Sequence, residues 1–596
     1  MQKSQKISKS TVLNIENEPI ATSEILWKSL SLETIKGKKL LFDLSGRAEP
    51  GTMTALMGSS GAGKTTLLNS LAGRIPKNFK ISGNILVNGY DRNPEMWPNI
   101  MSYVNQTFYA YETQTVEETL NFVCKIKNVE NPVDKTNKLI DILGLSDLHQ
   151  NYVKNLSGGE RIRLSVGVEL INDPQILFLD EPLSGLDSYN AINILRFLRK
   201  LADMGKTVII TIHQPSYKMM QYFNSIYLMA RGKTVFHGTC DECIKFFDQI
   251  GFPLPINTNP ADFFLDTISY DSSNTNSRRI SDERLNHITE SWKNYEKQNI
   301  DFDTKKTNLT NSLSVIKPKG NFSSLFFRNL SNCRRDISFL YIKLYQKIFL
   351  ITIYSFAYWQ VGTNDPLSIL NFRGFFTNIV INMLFATYQP LFNKFKEGQK
   401  IIARERQAGF YSGYSAFLAR FLAELVVLFI FEIPYLTVMY CMAGFNQTLF
   451  KYGQYMALLL SEIIFAVAFG LTISIFGATT SASQAIGATF GVIFVLFSSG
   501  FTNPEEQTVM ARIMMNFSPL QYLIKACVQS QAEGRTFAFG KGSDEEMNST
   551  MLLKFFGYDK ISFEYNIGVI YIFIVLSLIV GSIKLHMSTK SRLLIK

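Results

Sequence analysis

The chain reads as two unlike parts in tandem: an α/β domain built on a parallel sheet, then an all-α domain of six apolar helices. Three observations predict this. The run Gly58-Ser59-Ser60-Gly61-Ala62-Gly63-Lys64-Thr65 matches a phosphate-binding loop, G-x-x-x-x-G-K-[ST]. Residues 1–320 hold 71 charged side chains and residues 321–596 only 38, so the second part is depleted in charge. Finally, Ile463–Pro504 is uncharged over 42 residues, about twice the ~20 that span a bilayer.

The α/β domain is placed at 25–270, after a polar tail, 1–24. That tail has no apolar signal-type core, so the N-terminal half is expected to stay in the cytosol. Met53-Thr54-Ala55-Leu56-Met57 reads as a buried strand and the residues from Thr66 as a helix. Between them, glycines let backbone N–H groups wrap a phosphate, and the helix N-terminus adds positive potential. Gly58, Ser59, Ser60, Gly61, Ala62, Gly63, Lys64, Thr65 and Thr66 are therefore the candidate ATP contacts. The Lys64 charge suits the β- and γ-phosphates and the Thr65 hydroxyl suits Mg²⁺.

Downstream, Ile176-Leu177-Phe178-Leu179 ends in Asp180-Glu181. A buried strand presenting two acids at its C-terminal end puts them where parallel sheets bind ligands. Asp180 is read as a Mg²⁺ carboxylate and Glu181 as the general base for the attacking water. A further strand, Val208-Ile209-Ile210-Thr211-Ile212, leads to His213. The six cysteines exclude a disulfide scaffold. The net charge is +11, of which +8 lies in the apolar half. This reads as membrane topology, and no nucleic-acid partner is expected.

Leu156-Ser157-Gly158-Gly159-Glu160 opens a helix 16 residues before the acidic strand. It resembles the signature motif of ABC ATPases. The resemblance implies that Ser157, Gly158, Gly159 and Glu160 face the γ-phosphate held by a second subunit, with ATP and Mg²⁺ as cofactors. It makes Gln106 the Q-loop glutamine, which reaches Mg²⁺ and couples to the membrane part. It makes Asp187 the D-loop residue of Ser184-Gly185-Leu186-Asp187, and His213 the switch histidine. Catalysis is assigned to Glu181, His213 and Gln106, and Mg²⁺ to Thr65, Gln106 and Asp180.

An ATPase followed by six spans is similar to the G subfamily of half-transporters, the White and scarlet group. Thr115-Val116-Glu117-Glu118-Thr119-Leu120, Ile212-His213-Gln214-Pro215-Ser216, Asn259-Pro260-Ala261-Asp262 and Arg404-Glu405-Arg406 carry that resemblance. It covers about residues 25–590. One departure is Leu183, where the group usually has Thr. No aromatic clearly fills the adenine-stacking place, and Trp27 is the weak candidate.

The remaining segments follow from composition. Residues 271–320 are polar and read as a linker with one helix near 283–297. Residues 321–340 read as a membrane-surface helix, with Arg328, Arg334 and Arg335 toward headgroups. The spans of 341–590 are placed at about 341–362, 373–393, 416–441, 453–477, 484–502 and 565–584. Lys343 and Lys347 are expected to snorkel, and Glu424 and Glu462 to lie near headgroups. Lys and Arg near the span ends put both termini and the basic 394–420 loop in the cytoplasm. That leaves 503–563 outside, with sequons at Asn446 and Asn548. The expected location is the plasma membrane.

The resemblance also places a path between two copies of spans two and five, lined by Asn382, Phe385, Ile493, Leu496 and Phe501. The expectation is an ATP-hydrolysing exporter of lipids, sterols or other amphipathic compounds, acting as a homodimer or heterodimer. The rival is an ATP-gated channel or regulatory membrane protein, which would not need the general base Glu181.

Overall fold

The computed structural model describes residues 22–76, 78–299, 321–361, 368–445, 448–501, 504–538, 546–589 and 593–594. Residues 1–21 of the tail, 300–320 of the linker and the Asn446 sequon lie outside them.

The strands Met53–Met57, Ile176–Leu179 and Thr207–Thr211 are buried along their whole length. Such unbroken apolar runs suit a parallel sheet covered on both faces. They form a six-stranded sheet in the order Lys233–Gly238, Ser225–Ala230, Met53–Met57, Thr207–Thr211, Ile176–Leu179, Met101–Val104. All its pairings are parallel except the outermost, between Ser225–Ala230 and Lys233–Gly238. A second, antiparallel sheet holds Lys39–Ala48, Ile25–Thr34, Phe79–Val87 and Tyr90–Asp91. The parallel order sets the ends of Met53–Met57, Thr207–Thr211 and Ile176–Leu179 side by side, which assembles the site.

Three expectations change here. Residues 275–299 are not linker. The helix expected near 283–297 is present and longer, running over the 25 residues Thr275–Asn299, and it docks on the ATPase core through Leu285, Ile288 and Trp292. Its apolar residues are few but recur on one helical face, and its polar majority masked the docking face rather than the helix. Trp27 is fully buried against Tyr227 and His237, so it cannot stack on a base. The 394–420 segment is not a loop: Ser368–Gln407 is a continuous 40-residue helix. At 1.5 Å per residue it runs about 60 Å, twice a bilayer core of ~30 Å, and reaches the ATPase domain.

The second part is helical, with Ile337–Tyr358, Ser368–Gln407, Gly413–Ala443, Leu449–Phe476, Thr480–Leu496 and Phe563–Thr589 as its long helices. Ile337–Tyr358, Leu449–Phe476 and Phe563–Thr589 are long and apolar enough to cross a membrane, and Thr480–Leu496 is a shorter apolar helix. Between the last two lies Pro519–Ala532, almost wholly buried in the bundle. Its Gln521, Lys525 and Gln531 are buried too, and their polarity kept it from reading as a packed helix.

The intramembrane charges are buried inside the bundle rather than turned outward, and most of them are paired. Lys343 donates to the Ala386 carbonyl. Lys347 meets Glu432 at 2.7 Å and Arg420 meets Glu424 at 2.5 Å, all four side chains buried. Glu462 is fully buried as well. Snorkelling does not describe Lys343 and Lys347, whose partners on neighbouring helices offset the cost of burial, while Arg420 and Glu424 pair one turn apart on the same helix.

Candidate functional site

The loop 58–63 turns at Gly58, Gly61 and Gly63, with φ of 153°, 79° and 103°. A Cβ at Gly58 would stand 2.3 Å from the Met229 carbonyl oxygen, so only glycine fits there. The helix Lys64–Leu71 follows, its free amides aimed over the loop. Lys64 is buried, and its Nζ donates to the carbonyls of Gly58 (2.7 Å) and Ser59 (3.1 Å). Burial pushes its amine pKa down, while Glu181 and Asp180 pull it back up.

The acidic pair stands beside it. Thr65 Oγ1 donates to Asp180 Oδ1 at 2.9 Å, joining the phosphate loop to the acidic strand. Thr211 Oγ1 donates to the same oxygen at 2.9 Å and accepts the Glu181 N–H at 2.7 Å. Tyr103 O–H donates to Asp180 Oδ2 at 3.2 Å. Glu181 is held at both oxygens: Gln106 Nε2 donates to Oε2 (2.8 Å) and His213 Nε2 lies 3.1 Å from Oε1. Its φ is +46°, a left-handed conformation that a non-glycine residue adopts at a cost. Gln106, Glu181, His213, Thr65, Asp180 and Lys64 thus converge.

Tyr103 and Thr211 were not singled out in the sequence. Their hydroxyls are buried in strands that are mostly apolar, and a Thr at the end of Thr207–Thr211 reads as a β-former. The signal was a polar group at the C-terminal end of a strand.

The oxygens suit Mg²⁺, a hard cation that keeps waters and shares phosphate ligands. Thr65 hydroxyl, Gln106 amide and Asp180 carboxylate oxygens would hold it. Among the described residues no group of three His, Cys, Asp or Glu forms a metal cluster.

The signature helix Gly158–Leu170 begins with a capping box: Ser157 N–H donates to Glu160 Oε2 (2.9 Å) and Glu160 N–H to Ser157 Oγ (3.4 Å). Ser157 and Gly158 are exposed, Gly159 is buried and Glu160 half-buried. Asp187 caps the next helix through the Asn190 N–H at 2.9 Å.

Family models match both parts of the chain. A model described as "ABC transporter" matches residues 41–184, and models described as "ABC-2 type transporter" match 320–532 and 213–321. Protein white of Drosophila melanogaster is 30% identical over 511 residues, covering 81% of this chain and 73% of that protein. The ABC transporter ATP-binding protein/permease wht-1 of Caenorhabditis elegans is 31% identical, covering 77% and 72%. ABC transporter G family member 7 of Arabidopsis thaliana is 29% identical, covering 85% and 73%.

The chain belongs to the G-subfamily ABC half-transporters. It is an integral membrane protein whose ATPase domain drives transport.

In this half-transporter one connecting helix is clamped by charge both to the membrane helix Ser368–Gln407 and to the ATPase domain. Arg328 of the connecting helix Phe322–Arg335 pairs with Glu405, and Arg335 pairs with Glu118 at 2.5 and 2.8 Å. These arginines therefore do not face headgroups: their acidic partners arrive from 77 and 217 residues away. Of the expected path residues, Phe385 and Asn382 are half-buried. Phe385 packs on Tyr388 with ring centroids 5.4 Å apart. Ile493, Leu496 and Phe501 are exposed.

Proposed function

We propose that this half-transporter is an ATP-driven exporter of lipids, sterols or other hydrophobic or amphipathic compounds, working as a dimer. The observation that carries hydrolysis is the two-point hold on Glu181 by Gln106 and His213. A carboxylate so oriented takes a proton from a water attacking the γ-phosphate. Lys64 and the loop amides bind the phosphates, and Mg²⁺, when bound, neutralises charge that develops on them. His213 and Gln106 keep the base aimed. A gate without turnover would not need this arrangement.

Dimerisation is supported by the exposed Ser157 and Gly158, which hold a helix N-terminus ready for the partner's γ-phosphate. Each copy would supply Lys64 to one site and Ser157 to the other. We favour a homodimer, with a second half-transporter as the alternative partner. The substrate class rests on the exposed apolar Ile493, Leu496 and Phe501, to which the resemblance adds Phe385 as a flat ring and Asn382 as a polar group. Both termini would lie in the cytoplasm and the protein in the plasma membrane.

The test is ATP turnover of the purified protein in lipid nanodiscs, with particle mass measured alongside. Stimulation by a panel of phospholipids, sterols and amphipathic drugs from a dimeric particle is expected. A panel that leaves turnover flat would remove the substrate class, and an inactive monomer would remove the homodimer.

A further inference from the structure

Gln106 is the link that the resemblance assigns between nucleotide and membrane. A second connection runs beside it. The Tyr103 hydroxyl donates to Asp180 Oδ2 at 3.2 Å. The Tyr103 ring carries the Arg74 guanidinium 4.2 Å above its centroid, within cation–π range. Arg74 then forks. Its Nη1 donates to Asn105 Oδ1 at 3.1 Å, beside Gln106, and its Nη2 to Gln407 Oε1 at 2.8 Å. Gln407 is the last residue of the 40-residue membrane helix Ser368–Gln407.

Arg74 also stands just beyond the phosphate-loop helix Lys64–Leu71, and its N–H bonds the Asn69 carbonyl at 2.8 Å. A cation there complements the negative end of the helix. Arg74 therefore receives two arms from the nucleotide site: the rigid helix from Lys64, and Tyr103 from Asp180. Arg74, Tyr103, Asn105 and Gln407 line one cavity of about 170 Å³ between the halves. The junction holds room for the arginine to shift.

We propose that Tyr103 and Arg74 are positioning residues that carry the state of Asp180 to Gln407, a second coupling route beside Gln106. This rests on the reading of Asp180 as part of the ATP site. Arg74 suits the task because its rigid planar fork fixes the direction of both donated hydrogen bonds while its flat face lies on the Tyr103 ring, which the compact ammonium of lysine does not offer. Coupling of this kind is a free energy between sites, so a double-mutant cycle measures it.

The experiment uses full-length protein in nanodiscs, carrying Glu181→Gln so that ATP is retained. Hydrogen exchange of amides 400–410 is compared with and without ATP, at saturation for each variant. ATP should alter that exchange about threefold or more. Gln407→Leu should at least halve the response while ATP affinity, read with a fluorescent ATP analogue, stays within about twofold. Gln407→Glu, which keeps an acceptor for Arg74, should restore it. Tyr103→Phe keeps the ring and loses the Asp180 bond; it should halve the response, and its combination with Gln407→Leu should lose no more than either alone. Full responses in both single variants, or losses that add, overturn the relay while leaving the ATP site standing. Unaltered ATP affinity in Lys64→Ala overturns the site reading and the relay with it.

Discussion

Arg328 and Glu405 meet in two parallel hydrogen bonds of 2.6 and 2.9 Å, with their side chains only 3% and 4% exposed. Two rings cover the guanidinium, Phe122 at 3.6 Å and Tyr111 at 4.9 Å to the centroids. The pair fastens the connecting helix, the membrane helix Ser368–Gln407 and the ATPase domain at one point. Burial alone would push the Glu405 carboxyl up; the Arg328 charge overrides it and holds the group below its ordinary value.

Removing one partner should be costly, because the other stays buried and charged. Arg328→Met or Glu405→Leu alone is expected to destabilise the junction by about 3 kcal/mol, and the double variant to recover part of it. Thermal unfolding in nanodiscs checks this. The sign for acid follows from the lowered carboxyl: the contribution is whole above about pH 4.3 and is lost as pH falls through the folded value.

A different pH window belongs to the ATPase core. His237 is stacked near Trp27 and Tyr227. Burial, then the Arg47 charge, pushes its pKa down to about 4 from 6.5. Its contribution is whole above about pH 6.5 and fades as pH falls toward 4. The melting temperature should decline across that window, and His237→Phe should flatten the decline.

Glu181→Gln keeps shape and removes basicity. ATP hydrolysis should fall by about 100-fold or more, with nucleotide retained. Near-normal turnover would remove the general-base assignment. A radiolabelled ATP retention assay run alongside separates lost chemistry from lost binding.

Lys64→Ala should lose ATP binding and turnover, and Ser157→Arg should block the partner's site. Co-expressed, the two lesions fall together in one composite site and leave the other intact. Partial recovery of ATPase activity in the mixed population is expected of a homodimer. No recovery, although both variants co-purify, counts against sites shared between copies.

Small residues let the apolar helices pack closely. A Cβ at Gly491 would stand 2.5 Å from the Tyr388 hydroxyl and 2.8 Å from the Phe385 ring. Gly491→Ala should therefore cost about 1–3 kcal/mol by overpacking and disturb transport through Phe385. At Gly568 a Cβ meets nothing within 4 Å, so Gly568→Ala serves as the control. Equal melting temperatures for the two would contradict the packing at Gly491.

The ATPase chemistry was legible in the sequence because its groups sit in short runs. Gly58 to Thr66 encodes a turn and a helix entry, Ser157 to Glu160 a helix cap, and Asp180-Glu181 the end of a buried strand, each locally. Apolar runs likewise announced the central strands and the helical membrane half. What local pattern could not show is which distant charges meet. Arg328 and Arg335 looked like headgroup ligands until Glu405 and Glu118 arrived from other elements. Lys347 looked like a snorkelling side chain until Glu432 faced it. Thr211 and Tyr103 looked like strand formers until strand order laid both hydroxyls on Asp180. The backbone's near-neighbour preferences are written in sequence windows of a few residues. The partner of a buried charge is set by packing between elements far apart in the chain, and only the tertiary structure decides it.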